Sequence, residues 1–249
     1  MQVAVCMKRV PDTATKIRIA AGGKNIESAD VQSIISPYDE FAIEEALRLK
    51  EKSGQGLVTA YSVGTEATVE KLRQALAMGV DEAVLVKTAQ ALDPAQIAAN
   101  LAHALKPKNC DLVLFGRQST DEGGSQVGPL TAALLGHVCI TDVVKLEITG
   151  KRVRAEREIE GGREVIETEL PVVITAQKGL NEPRYASLKG IMAAKKKPLQ
   201  TVDAIATPLR LEVLTLEPPA PRPDGRIVGE GTEAVAELVK LLRSEAKVL

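Results

Sequence analysis

Residues 111–135 read Asp111-Leu112-Val113-Leu114-Phe115-Gly116-Arg117-Gln118-Ser119-Thr120-Asp121-Glu122-Gly123-Gly124-Ser125-Gln126-Val127-Gly128-Pro129-Leu130-Thr131-Ala132-Ala133-Leu134-Leu135. The run Asp111–Phe115 is short and apolar, the pattern of a strand buried on both faces. Leu130–Leu135 reads as a helix. Between them, Gly116–Pro129 is a glycine-rich connection. Its backbone N–H groups and the positive end of the following helix suit a phosphate. Gly123 and Gly124 permit positive φ and close backbone approach. Ser119, Thr120 and Ser125 add hydroxyl donors, and Pro129 suits a first helical position. The loop is neither a Walker A sequence nor a dinucleotide GxGxxG. By itself it does not separate a phosphate loop from a connection that binds nothing.

The same alternation extends outward in both directions. Gln2–Met7 reads as a first strand, followed at its C-terminal end by Lys8–Thr13. Lys16–Ile19 alternates like a half-exposed strand, and residues 21–25 form a hairpin-type turn. Ile35–Asp39 reads as a loop into a helix that runs to Lys52. Gly56–Ser62 is the next strand, and Thr65 or Thr68 caps a helix that Gly79 ends after Met78. Glu82–Lys87 is a strand, and Asp93-Pro94 opens a helix through Leu105. Such βαβ units imply a parallel sheet with right-handed crossovers. After residue 135 the pattern changes. Ile140–Ile148, Arg152–Ile159 and Glu164–Glu169 alternate and are joined by turns, as antiparallel hairpins are. Pro171–Ala176 returns to a buried strand. The expected class is α/β: a mostly parallel, doubly wound sheet with an antiparallel hairpin extension and a C-terminal arm. Residues 1–204 form the expected nucleotide-binding domain and 205–249 the arm.

Composition narrows the function classes. The chain has 249 residues and a net charge of −1, so it carries no nucleic-acid footprint. Aromatics are 2%, with no Trp, which argues against a base-stacking platform. Cys6, Cys110 and Cys139 are scattered and form no CxxC, which argues against a metal site or disulfide framework. No run reaches the ~18 apolar residues of a membrane span, and the chain opens directly on a strand. A cytoplasmic protein is expected, or one of the mitochondrial matrix if eukaryotic.

No nucleophile–base–acid set stands out. His103 lies in an expected helix and His137 follows Gly136, and neither adjoins a nucleophile in sequence. A nucleotide binder that is not itself an enzyme is therefore favoured over a stand-alone nucleotide-binding enzyme such as a ligase or hydrolase. The candidate ligand loops Lys8–Thr13, Ser36–Asp39, Ser62–Gly64 and Gly116–Val127 all follow strand C-termini. In open α/β sheets those ends share one crevice. A second candidate is the segment 181–197. Leu188, Ile191 and Met192 fall on one face of a short helix there, beside the basic run Lys195–Lys197. Pro218, Pro219, Pro221 and Pro223 mark a stiff linker. Gly231–Leu249 reads as an apolar-striped helix with no obvious core of its own.

At these residues the chain resembles the β-subunit family of electron transfer flavoproteins. The similarity is carried by Cys6-Met7-Lys8-Arg9-Val10, Ile43–Lys50, Ala75–Gly79, Gly116-Arg117-Gln118, Glu156–Gly162 and, above all, Asn181–Lys197. It covers nearly the whole chain. The resemblance implies a heterodimer with an α subunit that carries most of an FAD site. It implies electrons taken from acyl-CoA and related dehydrogenases and passed to a membrane quinone oxidoreductase. It also implies AMP in the β-subunit crevice, or a second FAD in electron-bifurcating members. By position the implied nucleotide contacts are Cys6, Ser36, Pro37, Tyr38, Asp39, Val63, Gly116, Arg117, Gln118, Ser119, Thr120, Asp121, Glu122, Gly123, Gly124, Ser125, Gln126 and Val127. Thr13 and Tyr38 would approach the α-subunit flavin, in place of a Tyr and a Phe common in the family. Leu188, with Ile191 and Met192, would dock dehydrogenases. Gln126-Val127-Gly128-Pro129 is similar to bifurcating members, whereas residues 187–197 are similar to AMP-holding ones.

Overall fold

The computed structural model describes residues 1–27, 31–222 and 224–249. The main sheet has nine strands: β1 (Gln2–Cys6), β4 (Leu57–Gly64), β5 (Glu82–Lys87), β6 (Leu112–Gly116), β7 (Val138–Thr149), β8 (Arg152–Ile159), β9 (Gly162–Glu169), β10 (Val172–Ala176) and β11 (Leu199–Asp203). Their order is β11-β5-β4-β1-β6-β10-β7-β8-β9. From β11 to β7 every pairing is parallel. Strands β8 and β9 extend that sheet as antiparallel hairpins. A separate antiparallel pair, β2 (Arg9–Pro11) and β3 (Ser33–Ile35), lies between β1 and the first helix in sequence.

Five α-helices join these strands among the described residues, α1 (Pro37–Ser53), α2 (Val69–Met78), α3 (Pro94–Leu105), α4 (Val127–Leu135) and α5 (Leu188–Ala194), and a sixth, α6 (Val235–Ser244), follows the last strand. Strand pleating sends successive side chains to opposite faces, and the core accordingly divides in two. Val3, Val5, Leu112, Leu114, Val172 and Ile174 pack with Ile43 and Leu47 of α1 and Leu72 and Leu76 of α2. Ala4, Cys6, Val113, Phe115 and Val173 pack with Leu101 and Leu105 of α3 and Ala132 of α4. Helices thus cover both faces, which is why these strands read as continuous apolar runs.

Several local expectations need correction. Lys16–Ile19 is not a strand. Among the described residues, its one β-bridge pairs Ile19 with Ile26. Tyr38 and Asp39 lie in the first turn of α1 rather than in a loop. Neither Thr65 nor Thr68 caps through its side chain; a 3-10 turn, Glu66–Thr68, leads into α2 instead. Pro129 stands third in α4, still within the first turn, where a helix N–H has no intrahelical partner. Gly123 has positive φ, +62°, but Gly124 does not. Asp93 does cap α3, accepting from Gln96 N–H while the Gln96 side chain accepts from Asp93 N–H.

After β11 the chain runs past α3. Asp93 accepts from the N–H groups of Arg210 and Leu211, and Asn100 Oδ1 accepts from Ile205 N–H. Residues 204–222 have no regular secondary structure, and Pro223 lies outside the described residues. No residue of α6 is buried.

Gly116 closes the packing of α1 onto β6. A Cβ there would lie 2.5 Å from Asp39 Oδ1 and 2.6 Å from the backbone of Tyr38 and Asp39. Gly116→Ala must therefore push helix and strand apart. The expected loss is about 1–3 kcal/mol, seen as a lowered melting temperature. A melting temperature equal to that of the unaltered chain would contradict this packing.

Candidate functional site

The winding order places a switch point beside β1. From β1 the chain passes through α1 to β4 and through α2 to β5, and then returns through α3 to β6 on the other side of β1. Loops diverge there at the strand C-termini, which opens a crevice. It encloses about 720 Å³ with its open mouth included.

One side of the crevice is apolar. Val63 and Phe115 stand one residue before the ends of β4 and β6, and Ile97 and Leu101 project one turn apart from α3. Much of the rest of the lining comes from Lys8, Asp39, Gly116–Ser119, Glu122 and Gly124–Gly128. Helix α4 begins there at Val127, after Gln126, which makes no side-chain cap hydrogen bond. The first N–H groups of a helix have no intrahelical acceptor, and with the helix dipole they favour an anion. A Cβ built on Gly124 meets no protein atom within 4 Å, so this backbone borders open space. Ser125, beside it, has φ +52°, a region that non-glycine residues seldom occupy. Its hydroxyl donates to Gln118 Oε1 at 3.0 Å.

The floor is held by Asp39. Its Oδ2 accepts from Lys8 N–H at 2.7 Å and its Oδ1 from Gly116 N–H at 2.9 Å. The carboxyl is 6% exposed. Burial pushes it up to about 7, against the hydrogen bonds from Lys8 and Gly116 and the Lys8 charge, which pull it down. Across the mouth, Lys8 Nζ pairs with Asp121 and Glu122, each at 2.9 Å. Arg117 Nε lies 2.7 Å from Asp142 Oδ1.

Of the residues singled out in the sequence, Cys6, Asp39, Val63, Gly116, Arg117, Gln118, Ser119, Glu122, Gly124, Ser125, Gln126 and Val127 meet around this crevice. Ser36 is buried behind it, its hydroxyl 3.5 Å from Gln118 O. Tyr38, Thr120, Asp121 and Gly123 are not part of its lining, and Pro37 borders a separate cavity. Thr13 is exposed on the turn after β2. Sequence reasoning passed over Met7, Pro94, Ile97, Leu101, Phe115 and Gly128 as wall residues. The signal for the α3 pair was its spacing of four, which also fits an ordinary core helix.

Leu188, Ile191 and Met192 come together on α5. Leu188 is 83% and Met192 73% exposed. His103 is exposed on α3, and His137 Nδ1 is buried without a hydrogen-bond partner among the described residues. Among the described residues, no three His, Cys, Asp or Glu side chains gather as a metal site would require. No helix among them is long and apolar enough to cross a membrane.

The family model described as "Electron transfer flavoprotein domain" matches residues 24–207. An electron transfer flavoprotein subunit beta of Bacillus subtilis (strain 168) is 48% identical, and the similarity covers 100% of both chains. The subunit beta of Bradyrhizobium diazoefficiens is 40% identical, also with 100% of both chains covered. The human subunit beta is 37% identical over 98% of each.

The burial of Asp39 sets a pH dependence. Folded, it keeps its proton up to about 7, whereas the unfolded chain loses it near the ordinary value of 3.8. The stability it contributes is full below the ordinary value and is lost as pH rises through about 7. Asp39→Asn removes that slope. Between about pH 5 and pH 8, the stability difference between Asp39→Asn and the unaltered chain should move in the variant's favour by on the order of 2 kcal/mol. Thermal melts across that range check it; a difference independent of pH would refute the assignment.

Proposed function

The chain belongs to the electron transfer flavoprotein family as a β subunit, a component of electron transport, and on that premise we propose that it holds AMP in the crevice between β1 and β6 and completes an FAD site with an α subunit. One observation carries the reading: a single crevice pairs an apolar wall with a glycine-rich loop at a helix N-terminus. Val63, Ile97, Leu101 and Phe115 give the adenine ring a flat apolar bed. The backbone of Gly124–Gly128 gives the phosphate N–H donors. The open space at Gly124 is the cradle such a group needs. Lys8 closes the mouth through Asp121 and Glu122.

In this reading FAD, when bound, accepts and releases the electrons, and the side chains of this chain hold and orient. Thr13 is exposed and Tyr38 half-buried, so both have surface to offer the flavin. Residues 1–204 form the nucleotide-binding unit. Residues 205–249 form an arm that docks on the α subunit, where Val235 and Leu238 of α6 would bury their exposed surface. Leu188, Ile191 and Met192 present an apolar patch beside Lys195 and Lys196. That patch suits acyl-CoA and related dehydrogenases as electron donors, because buried apolar anchors dominate interface energy. A membrane quinone oxidoreductase is the acceptor, and the cytoplasm is the compartment.

The test is to co-express the chain with its α subunit, purify the heterodimer and identify the released nucleotides by mass. The expected result is one FAD and one AMP per heterodimer. Two FAD and no AMP would instead assign the crevice to a second flavin, the reading that Gln126-Val127-Gly128-Pro129 favours. Neither nucleotide beyond the α-subunit flavin would refute both. Gly124→Val fills the cradle from its edge, at a position where an added Cβ meets no protein atom within 4 Å. It should leave the melting temperature of the nucleotide-free chain unchanged and lower nucleotide retention at least tenfold, roughly the loss of one charge-assisted hydrogen bond. Full retention in the variant would move the phosphate elsewhere.

A further inference from the structure

Helix α5 is too short to be stable by itself, yet it carries the most exposed apolar side chains of the docking patch. What holds it in place comes from helices distant in sequence. On the approach to α5, Arg184 Nε donates to Glu44 Oε2 at 2.7 Å and Nη2 to Glu44 Oε1 at 3.2 Å, while Nη1 reaches Glu51. Glu44 is 3% exposed and also accepts from Arg48 Nε at 2.7 Å. Its burial would raise its pKa, but the hydrogen bonds from Arg184 and Arg48 outweigh that and hold it below the ordinary value. Such forked, charge-assisted bonds fix geometry as well as adding energy.

Beyond α5, Arg73 on α2 donates from Nη1 to Ala194 O at 2.7 Å and to Lys197 O at 2.8 Å. Ala194 is the last residue of α5 and Lys197 follows the turn after it, so Arg73 satisfies a carbonyl that the helix end leaves unpaired and ties down the turn beyond. Lys197 Nζ returns the contact, donating to Leu76 O at 2.9 Å and to Val80 O, at the C-terminal end of α2. In the middle, a Cβ on Gly190 would collide with Ala77 O, so the α5 backbone lies directly against α2.

We infer that Arg184 and Arg73 are positioning residues that clamp α5 to α1 and α2 at its two ends, so that the docking patch meets its partner as a fixed platform instead of folding on contact. The inference rests on the docking reading above. A patch already ordered loses less side-chain and backbone freedom on association, and that saving appears in affinity.

The experiment uses the heterodimer with its α subunit and an acyl-CoA dehydrogenase as electron donor. It compares Arg73→Met, Arg184→Met and the control Leu188→Ala. Two quantities are read: amide hydrogen exchange over residues 188–194, and the KM and kcat of the dehydrogenase for the heterodimer. Both arginine variants should speed exchange over those residues and raise KM by about tenfold with kcat retained, the loss expected for a charge-assisted hydrogen bond. Leu188→Ala should raise KM with exchange unchanged. Arg184→Lys, which keeps the charge but loses the fork, should fall between the unaltered chain and Arg184→Met in both readouts. Exchange unchanged in both arginine variants, or faster exchange with KM unmoved, overturns the clamp. If Leu188→Ala leaves KM unmoved, the docking reading itself fails, while exchange still reports whether the clamp exists.

Discussion

The crevice depends on one buried carboxylate. Asp39, in the first turn of α1, takes an N–H from Lys8 just beyond β1 and another from Gly116 at the end of β6. Two neighbouring strand ends and one helix start are thereby fixed at a single point. Burying a carboxylate is costly, and two backbone donors offset only part of the cost. The balance shows in its affinity for a proton, which burial raises to about 7 despite both hydrogen bonds. The arrangement also requires Gly116, since any Cβ would occupy the space of Asp39 and Tyr38. Residues that flank the loop can face the crevice because this junction holds the strand ends behind them.

The apolar walls of the crevice and the docking segment rest on opposite faces of the sheet, although Met7 and Asp39 reach the crevice from the α1 side. Cys6, Leu101 and Phe115, which wall the crevice, belong to the core beneath α3 and α4, with Val63, Ile97 and Val127 packed against it. Ala194 belongs to the core beneath α1 and α2, with Ala186 packed against it. The division follows from pleating: neighbouring residues such as Leu114 and Phe115 serve different faces. A substitution in α5 can therefore alter partner binding without touching the apolar crevice walls that pack beneath α3 and α4.

Much of this was legible in the sequence, and the rest was hidden for physical reasons. Strands such as Glu82–Lys87, and helix Pro94–Leu105 with its Asp93 cap, were readable because fully buried parallel strands and capped helices leave local signatures. The loop at Gly116–Val127 was readable from its glycines and its place between strand and helix. Ile97 and Leu101 were not recognised as crevice walls, because apolar residues four apart look alike whether they face a core or a ligand. Lys16–Ile19 alternates like a strand, yet among the described residues it makes only the bridge from Ile19 to Ile26. The bonds of Arg184 to Glu44, and of Arg73 to the end of α5, span more than 100 residues in sequence. No local pattern encodes such a pair; only the packing of α5 against α2, and of Arg184 before it against α1, brings them together.

The most direct measurement is a crystal structure of the heterodimer as purified, with its own nucleotides retained. The account expects a nucleotide in the β1–β6 crevice of this chain. Its phosphate oxygens should lie about 3 Å from the N–H groups of Gly124–Gly128, and its base should lie against Ile97, Leu101 and Phe115. A crevice filled only by solvent, or a nucleotide whose phosphate sits away from the start of α4, would contradict it.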